Sequence, residues 1–159
     1  MPEPRFLVVR LGSLGDIVHT FPAVAGLRAS FPSAEIIWLT HPRWVELVAS
    51  SCLATEIWPV DSRDLANVRH ALRKIHNAKW TAAIDYQGLW KSAMLPFFGR
   101  VSKRIGFSSA TIREFGVPIS LYRSRRLPHN PHRRSEWRTD FTHVRNQACS
   151  RSHAASGAS

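Results

Sequence analysis

Two glycines and one aspartate stand together near the start of the chain, in the stretch FLVVRLGSLGDIVHTFPAVAGLR (Phe6 to Arg28). An apolar run precedes Gly12 and an amphipathic pattern follows Asp16. We therefore expect the segment G-S-L-G-D to join a buried strand to a helix. A carboxylate at such a place can act as a general base on a substrate hydroxyl, or it can cap the helix. This stretch alone leaves both roles open.

The spacing of the glycines does not fit two common phosphate-binding motifs. A dinucleotide-binding turn needs G-x-G-x-x-G, and a P-loop needs G-K-[ST] after its glycines. Here G-x-x-G leads directly to Asp16. A negative side chain in the first helical turn would also repel a pyrophosphate bound there. We therefore do not interpret this segment as a phosphate cradle.

Apolar runs alternate with helical patterns along most of the chain. The expected strands are Phe6–Arg10, Glu35–Thr40, Thr55–Val60, Thr81–Tyr86 and Ser102–Phe107, and the expected helices are Ile17–Ser30, Arg43–Ser50, Leu65–Asn77 and Leu89–Phe98. This alternation predicts an α/β fold with a doubly wound parallel sheet. Ligands of such sheets bind at the carboxyl ends of the strands. Residues 12–16, 85–91 and 106–113 would all lie there.

Positive charge is concentrated toward the end of the sequence. The 159 residues carry a formal net charge of +11, which indicates an anionic partner. Residues 123–159 contribute eight arginines against Glu136 and Asp140, and they contain few aliphatic side chains. Such a composition is typical of a disordered tail. No apolar run approaches the roughly 18 residues of a membrane span, so we expect no transmembrane helix.

Several motifs together carry a family resemblance. The stretches V-V-R-L-G-S-L-G-D-I-V-H-T, A-I-D-Y-Q-G-L-W-K-S-A, R-I-G-F and I-R-E resemble, in order and spacing, the lipopolysaccharide heptosyltransferases of glycosyltransferase family 9. The resemblance runs from about Phe6 to Leu127. It implies a Rossmann-like domain at residues 1–127, the N-terminal half of a GT-B fold, followed by a basic tail at residues 128–159. It also implies an anionic acceptor, the Kdo- or heptose-bearing core of lipopolysaccharide, and no metal or other cofactor.

The same resemblance implies roles for individual residues. Asp16 matches the general base of the family. Acceptor-binding positions are implied at Gly12, Ser13, Gly15, Arg63, Gln87, Gly88, Lys91, Ser92 and Arg113. Lys91 would contact an acceptor carboxylate or phosphate, or would remain solvated on its helix. We interpret Asp85 as a brace of its turn, and His19 as a hydrogen-bonded structural histidine.

The family has a second domain that binds the ADP-heptose donor, and nothing after Leu127 resembles it. A one-nucleotide shift in codons chosen for His132–Asp140 turns that segment into a linker of the family's type. We therefore hypothesise a truncation by a shifted reading frame, and we expect no transfer by this chain alone. The expected location is cytoplasmic, at most peripheral at the inner face of the bacterial inner membrane. The alternative is a small basic protein that binds polyanions or nucleic acid, although no specific nucleic-acid motif is present.

Overall fold

The computed structural model describes residues 3–106, and for Trp90 and Lys91 it describes the backbone only. Strands and helices alternate throughout this range. The strands are β1 (Arg5–Val9), β2 (Glu35–Thr40), β3 (Glu56–Pro59), β4 (Ala82–Asp85) and β5 (Arg104–Ile105), and the helices are α1 (Leu14–Ser30), α2 (Val45–Ser50), α3 (Leu65–Asn77) and α4 (Trp90–Phe98). A short 3-10 turn, Pro42–Trp44, precedes α2. The predicted alternation of strands and helices is confirmed.

The five strands form one parallel sheet in the order β3-β2-β1-β4-β5. The chain moves outward from β1 to β3 and then returns to place β4 on the other side of β1. The connections leaving β1 and β4 therefore diverge, and in doubly wound sheets the ligand crevice lies outside the carboxyl ends of two such strands. Ligands of doubly wound sheets bind at such a switch point. Residues 12–16 follow β1 there, and residues 86–89 follow β4.

Helices cover both faces of the sheet. Leu7 and Val9 of β1 pack in one core cluster with Ile75 and with other side chains of α3 and α4. Val8 points to the opposite face and packs with Ile17 and with other side chains of α1 and α2. Because both faces of the central strands are buried, these strands read as continuous apolar runs. The prediction of an α/β, doubly wound parallel sheet is thus confirmed.

Helix α1 begins three residues earlier than the sequence pattern predicted. Ser13 has an extended backbone (ψ −177°) and occupies the position that caps the helix. Gly15 and Asp16 consequently lie in the first helical turn, whereas the sequence placed Gly15 in a loop. Strand β5 is also shorter than predicted.

No helix within residues 3–106 is both long enough and apolar enough to cross a membrane. The predicted domain boundary at residue 127 and the basic tail at residues 128–159 lie outside the described residues.

Candidate active site

The Asp16 carboxylate lies at the start of α1, directly beyond the carboxyl end of β1. Its side chain is 52% exposed. Oδ2 accepts hydrogen bonds from the backbone N–H of Ser13 and from the Ser13 hydroxyl, both at 3.1 Å. Asp16 is therefore not the N-cap itself but the third helical residue, whose carboxylate bonds back to the N-cap Ser13. It helps to close the start of the helix and presents a carboxylate at the same time, so the two roles left open by the sequence are compatible.

Arg10, the residue after β1, is the cationic partner of this carboxylate. Its Nη2 lies 2.5 Å from Asp16 Oδ2, and its side chain is only 10% exposed. Nη1 donates to the backbone carbonyl of Tyr86 at 2.6 Å. Arg10 Nε is buried without a hydrogen-bond partner in the part of the chain that the structure describes. The guanidinium thus joins the loop after β1 to the loop after β4.

Sequence reasoning gave Arg10 no role. A charged residue at the end of an otherwise apolar strand, two positions before Gly12, was the available signal. Arginine is rarely buried unless it is paired, so an arginine in this position already called for a nearby acceptor. Its acceptors are Asp16, six residues on, and Tyr86, which lies 76 residues away along the chain.

The hydrogen bonds to Asp16 are unequally divided between its two oxygens. The Arg10 guanidinium, the Ser13 backbone N–H and the Ser13 hydroxyl all converge on Oδ2. Within residues 3–106 no group donates to Oδ1. The carboxylate therefore has one anchored oxygen and one open oxygen.

These contacts also determine the protonation state of Asp16. The Ser13 backbone N–H has the largest effect and lowers the pKa of the carboxyl below its ordinary value of 3.8. Partial burial opposes this change, while the positive charge of Arg10 and the Ser13 hydroxyl lower the pKa further. Asp16 is consequently ionised at neutral pH, which a general base requires.

The loop after β4 is held from inside by Asp85. This carboxylate is 2% exposed. Oδ1 accepts from the backbone N–H groups of Gln87 at 2.7 Å and Gly88 at 3.2 Å, and Oδ2 accepts from the Ser92 hydroxyl at 2.9 Å. Asp85 therefore braces the turn, as its sequence position suggested. Ser92 is fully buried, and its one hydroxyl hydrogen is shared between Asp85 Oδ2 and the carbonyl of Leu89, which lies 2.8 Å away, so it belongs to this internal network.

Gln87 and Gly88 lie in the loop after β4, between the buried Asp85 and the residues that follow β1. The Gln87 side-chain oxygen accepts from the backbone N–H of Leu11 at 2.7 Å. This bond is a second tie between the loops after β1 and β4, beside the one made by Arg10. Gly88 has a positive φ of 68°, a conformation that glycine adopts without strain. Both residues are partly buried.

Gly12 lies against the indole ring of Trp44. A Cβ atom at Gly12 would stand 3.4 Å from Trp44 Nε1, and nothing would lie within 4 Å of one at Gly15. Gly15 is exposed and Gly12 is partly buried. The structure thus brings Gly12, Ser13, Gly15, Asp16, Gln87 and Gly88 to the same end of the sheet, near the switch point.

The remaining residues singled out from the sequence are Arg63, Lys91, Arg113 and His19. Arg63 is exposed in the loop after β3, a strand that lies two places from β1 and so about 10 Å from it across the sheet. The Lys91 side chain and all of Arg113 lie outside the described part. His19 is exposed, and its side chain makes no hydrogen bond within residues 3–106. The prediction of a hydrogen-bonded structural histidine was therefore wrong among these residues.

Within the described range, no three or more His, Cys, Asp or Glu side chains are grouped so that they could hold a metal ion.

No protein-family model matches the chain, but curated relatives do. Lipopolysaccharide heptosyltransferase 1 of Escherichia coli is 30% identical over 101 residues, which are 57% of this chain and 31% of the relative. The enzyme of the same name from Pseudomonas aeruginosa is 28% identical over 120 residues, 69% of this chain and 34% of the relative. Lipopolysaccharide core heptosyltransferase OpsX of Haemophilus influenzae is 25% identical over 126 residues, 79% of this chain and 36% of the relative.

Solved structures agree at the level of the fold. Escherichia coli heptosyltransferase WaaC with ADP matches with a TM-score of 0.65 and 22% identity, over 92% of this chain and 46% of that one. A glycosyltransferase of family 9 from Veillonella parvula matches with a TM-score of 0.61 and 20% identity, over 74% of this chain and 36% of that one. The chain therefore spans about a third of the length of these curated relatives.

Proposed function

We propose that this chain, which is similar to the heptosyltransferases of glycosyltransferase family 9 over the stretch that it shares with them, supplies the acceptor side of a sugar transfer in lipopolysaccharide core biosynthesis. The observation that carries the proposal is the exposed Asp16 carboxylate at the switch point of the sheet. Its position suits a group that acts on a ligand in the crevice.

In the proposed reaction Asp16 removes the proton of an acceptor hydroxyl. The O–H bond breaks and the acceptor oxygen bonds to the anomeric carbon of ADP-heptose. The bond from that carbon to the diphosphate oxygen breaks at the same time, and ADP leaves with the electron pair. A carboxylate that is ionised at neutral pH, half exposed and held in one orientation supports this role.

The proposed acceptor is the anionic inner core of lipopolysaccharide, with its Kdo and heptose sugars. Gly12 and Gly15 would let the acceptor approach the backbone beside Asp16, and Gly88 would border it from the other loop. Arg63, Lys91 and Arg113 would contact its carboxylates and phosphates, since guanidinium and ammonium groups suit such anions. Gln87 and Ser92 would act from inside, by holding the two loops.

A lipid-linked acceptor would place the protein at the cytoplasmic face of the inner membrane. The net charge of +11 supports this proposal, because basic proteins are attracted to the anionic lipids of that leaflet.

The test joins residues 1–127 to the remaining two thirds of Escherichia coli heptosyltransferase 1 and assays transfer from ADP-heptose to a Kdo-bearing acceptor. We expect turnover by this chimaera, and a loss of about 10²- to 10⁴-fold in kcat for Asp16→Asn, with KM for the acceptor little changed. The chain by itself should give no transfer, because positioning both reactants supplies much of the rate. Equal turnover by the chimaera and its Asp16→Asn variant would refute the base role.

A further inference from the structure

We propose that Arg10 is the positioning residue of this site: it holds Asp16 through Oδ2, and Oδ1 is the oxygen that receives the acceptor proton. The inference rests on the proposed function for the identity of the base. It adds a residue to which no role had been assigned and names the reacting atom.

Arg10 is itself fixed before it acts on Asp16. The residue is 8% exposed, and Nη1 is bound to the Tyr86 carbonyl at 2.6 Å. Ser13 belongs to the same helical turn as Asp16 and moves with it, whereas Arg10 extends from the central strand of the sheet. Arg10 is therefore the contact that relates the Asp16 carboxylate to the sheet and to the loop after β4.

The uneven hydrogen bonding decides which oxygen is basic. Oδ2 already accepts from Arg10 Nη2 and from two donors of Ser13, so its lone pairs are occupied. Within residues 3–106 Oδ1 accepts no hydrogen bond, and the side chain that carries it is 52% exposed. When Oδ1 takes the proton, Oδ2 becomes a carbonyl oxygen that still accepts from Arg10 and Ser13. The loop geometry is then preserved through the proton transfer.

Among residues 3–106, the charge of Arg10 is the one that acts on the Asp16 carboxyl. On its own helix His19 is exposed one turn further along, and from the loop after β4 Tyr86 contributes its carbonyl through Arg10. Burial raises the pKa of the Tyr86 hydroxyl, so that group is neutral at physiological pH.

The first experiment follows the Asp16 carboxyl carbon of the whole chain by NMR through an acid titration. Arg10→Met should raise the Asp16 midpoint toward 3.8, and Arg10→Lys should return part of the change. Arg5→Met is the matched control, because Arg5 makes a 2.6 Å pair with Glu35 at the opposite end of β1. An unchanged midpoint in Arg10→Met, or an equal change in the control, would overturn the proposal.

A second experiment does not require the Arg10 variants to fold. Asp16→Asn keeps an oxygen that can accept from Arg10 and Ser13 and places its NH₂ in the open position, whereas Asp16→Ala removes both. Because Nη2 is the atom paired with Asp16, we expect the Arg10 Nη2 protons to exchange with water at the wild-type rate in Asp16→Asn and about tenfold or more faster in Asp16→Ala, while the Nη1 protons, held by Tyr86, change little. Wild-type exchange of the Nη2 protons in the alanine variant would mean that Arg10 does not hold the Asp16 carboxylate, and it would overturn the proposal.

A binding measurement separates this inference from the proposed function. The probe is a Kdo disaccharide titrated into the whole chain. Because Arg10 is buried, Arg10→Met should bind it within about twofold of wild type, and a loss of about tenfold, 1.4 kcal/mol, would make Arg10 an acceptor contact and overturn the positioning role. If the wild-type chain binds no sugar, the proposed acceptor fails while the titration still decides the role of Arg10.

Discussion

At the scale of single residues, the site pairs a buried cation with a half-exposed anion. Arg10 lies inside and Asp16 lies at the surface, so the two ends of one ion pair differ in what they need. Arg10 needs an acceptor because a buried charge without one is costly. If the ion pair breaks, water can solvate the half-exposed Asp16 carboxylate, so the free-energy cost is smaller for Asp16 than for Arg10. The pair therefore stabilises the loop mainly by satisfying Arg10.

Asp16→Asn should reduce the pH dependence of stability in acid. The folded-state pKa of Asp16 is lowered from 3.8, so its contribution to the free energy of unfolding is fully present above that value and is lost as the pH falls through the folded pKa. Wild type should therefore lose stability more steeply than Asp16→Asn below about pH 4. Urea unfolding between pH 7 and pH 3 measures this, and parallel curves in acid would contradict it.

Asp85→Ala should be more destabilising than Asp64→Ala. Each carboxylate accepts two backbone N–H bonds, Asp85 from the β4 loop and Asp64 from the first turn of α3. Asp85 is buried, so its removal leaves the two backbone donors unsatisfied and the Ser92 hydroxyl with only the Leu89 carbonyl as acceptor, at a cost of about 2 to 4 kcal/mol. Asp64 is an exposed helix cap worth about 1 kcal/mol.

The comparison is made by chemical denaturation at neutral pH. An equal decrease in the free energy of unfolding in Asp85→Ala and Asp64→Ala would contradict the prediction that the buried carboxylate contributes more.

At the scale of elements, the end of α4 is packed directly against α3. A Cβ atom at Gly99, the residue after α4, would stand 2.3 Å from Cγ2 and 2.9 Å from Cβ of Ile75. Ile75 is fully buried in α3. The side chain cannot move away without disturbing the core, so the absence of a side chain at Gly99 is what allows these two helices to meet.

Gly99→Ala should lower the free energy of unfolding by about 1 to 3 kcal/mol through overpacking. Gly15→Ala is the matched control, since its new methyl group would meet nothing within 4 Å and alanine favours a helical turn by up to about 1 kcal/mol. Denaturation midpoints of the two variants should therefore move in opposite directions. A neutral Gly99→Ala would mean that α3 and α4 separate easily.

At the scale of the whole molecule, the dominant property is its charge of +11. Charge of this size favours association with any polyanion, whatever the function of the site. The arginines of residues 123–159 provide about half of it. Binding to nucleic acid would therefore report charge rather than recognition.

We expect the chain to bind single-stranded oligonucleotides of unrelated sequence equally, with an affinity that falls by about a hundredfold or more between 50 and 200 mM salt. Fluorescence anisotropy with two labelled oligonucleotides measures both features. A sequence preference that persists at the higher salt concentration would instead support a nucleic-acid-binding module.

The sequence by itself determined the alternation of strands and helices, the α/β class, the helix that starts near Asp16 and the similarity to the heptosyltransferases. These features depend on local periodicity, on capping residues and on short motifs, all of which lie within a few residues of one another. The sequence also predicted that Asp85 stabilises its turn, because an aspartate before a turn commonly accepts hydrogen bonds from the backbone N–H groups that follow it.

Only the tertiary structure decided the partners of Arg10 and the position of Ser92. Arg10 finds Tyr86 across 76 residues of chain because β4 returns to lie beside β1. Ser92 turns inward to Asp85 instead of facing the crevice, since α4 packs that side of its first turn against the sheet. Contacts of this kind follow from strand order and burial. A linear pattern does not contain them, because it specifies which face of an element is apolar but not which distant element covers it.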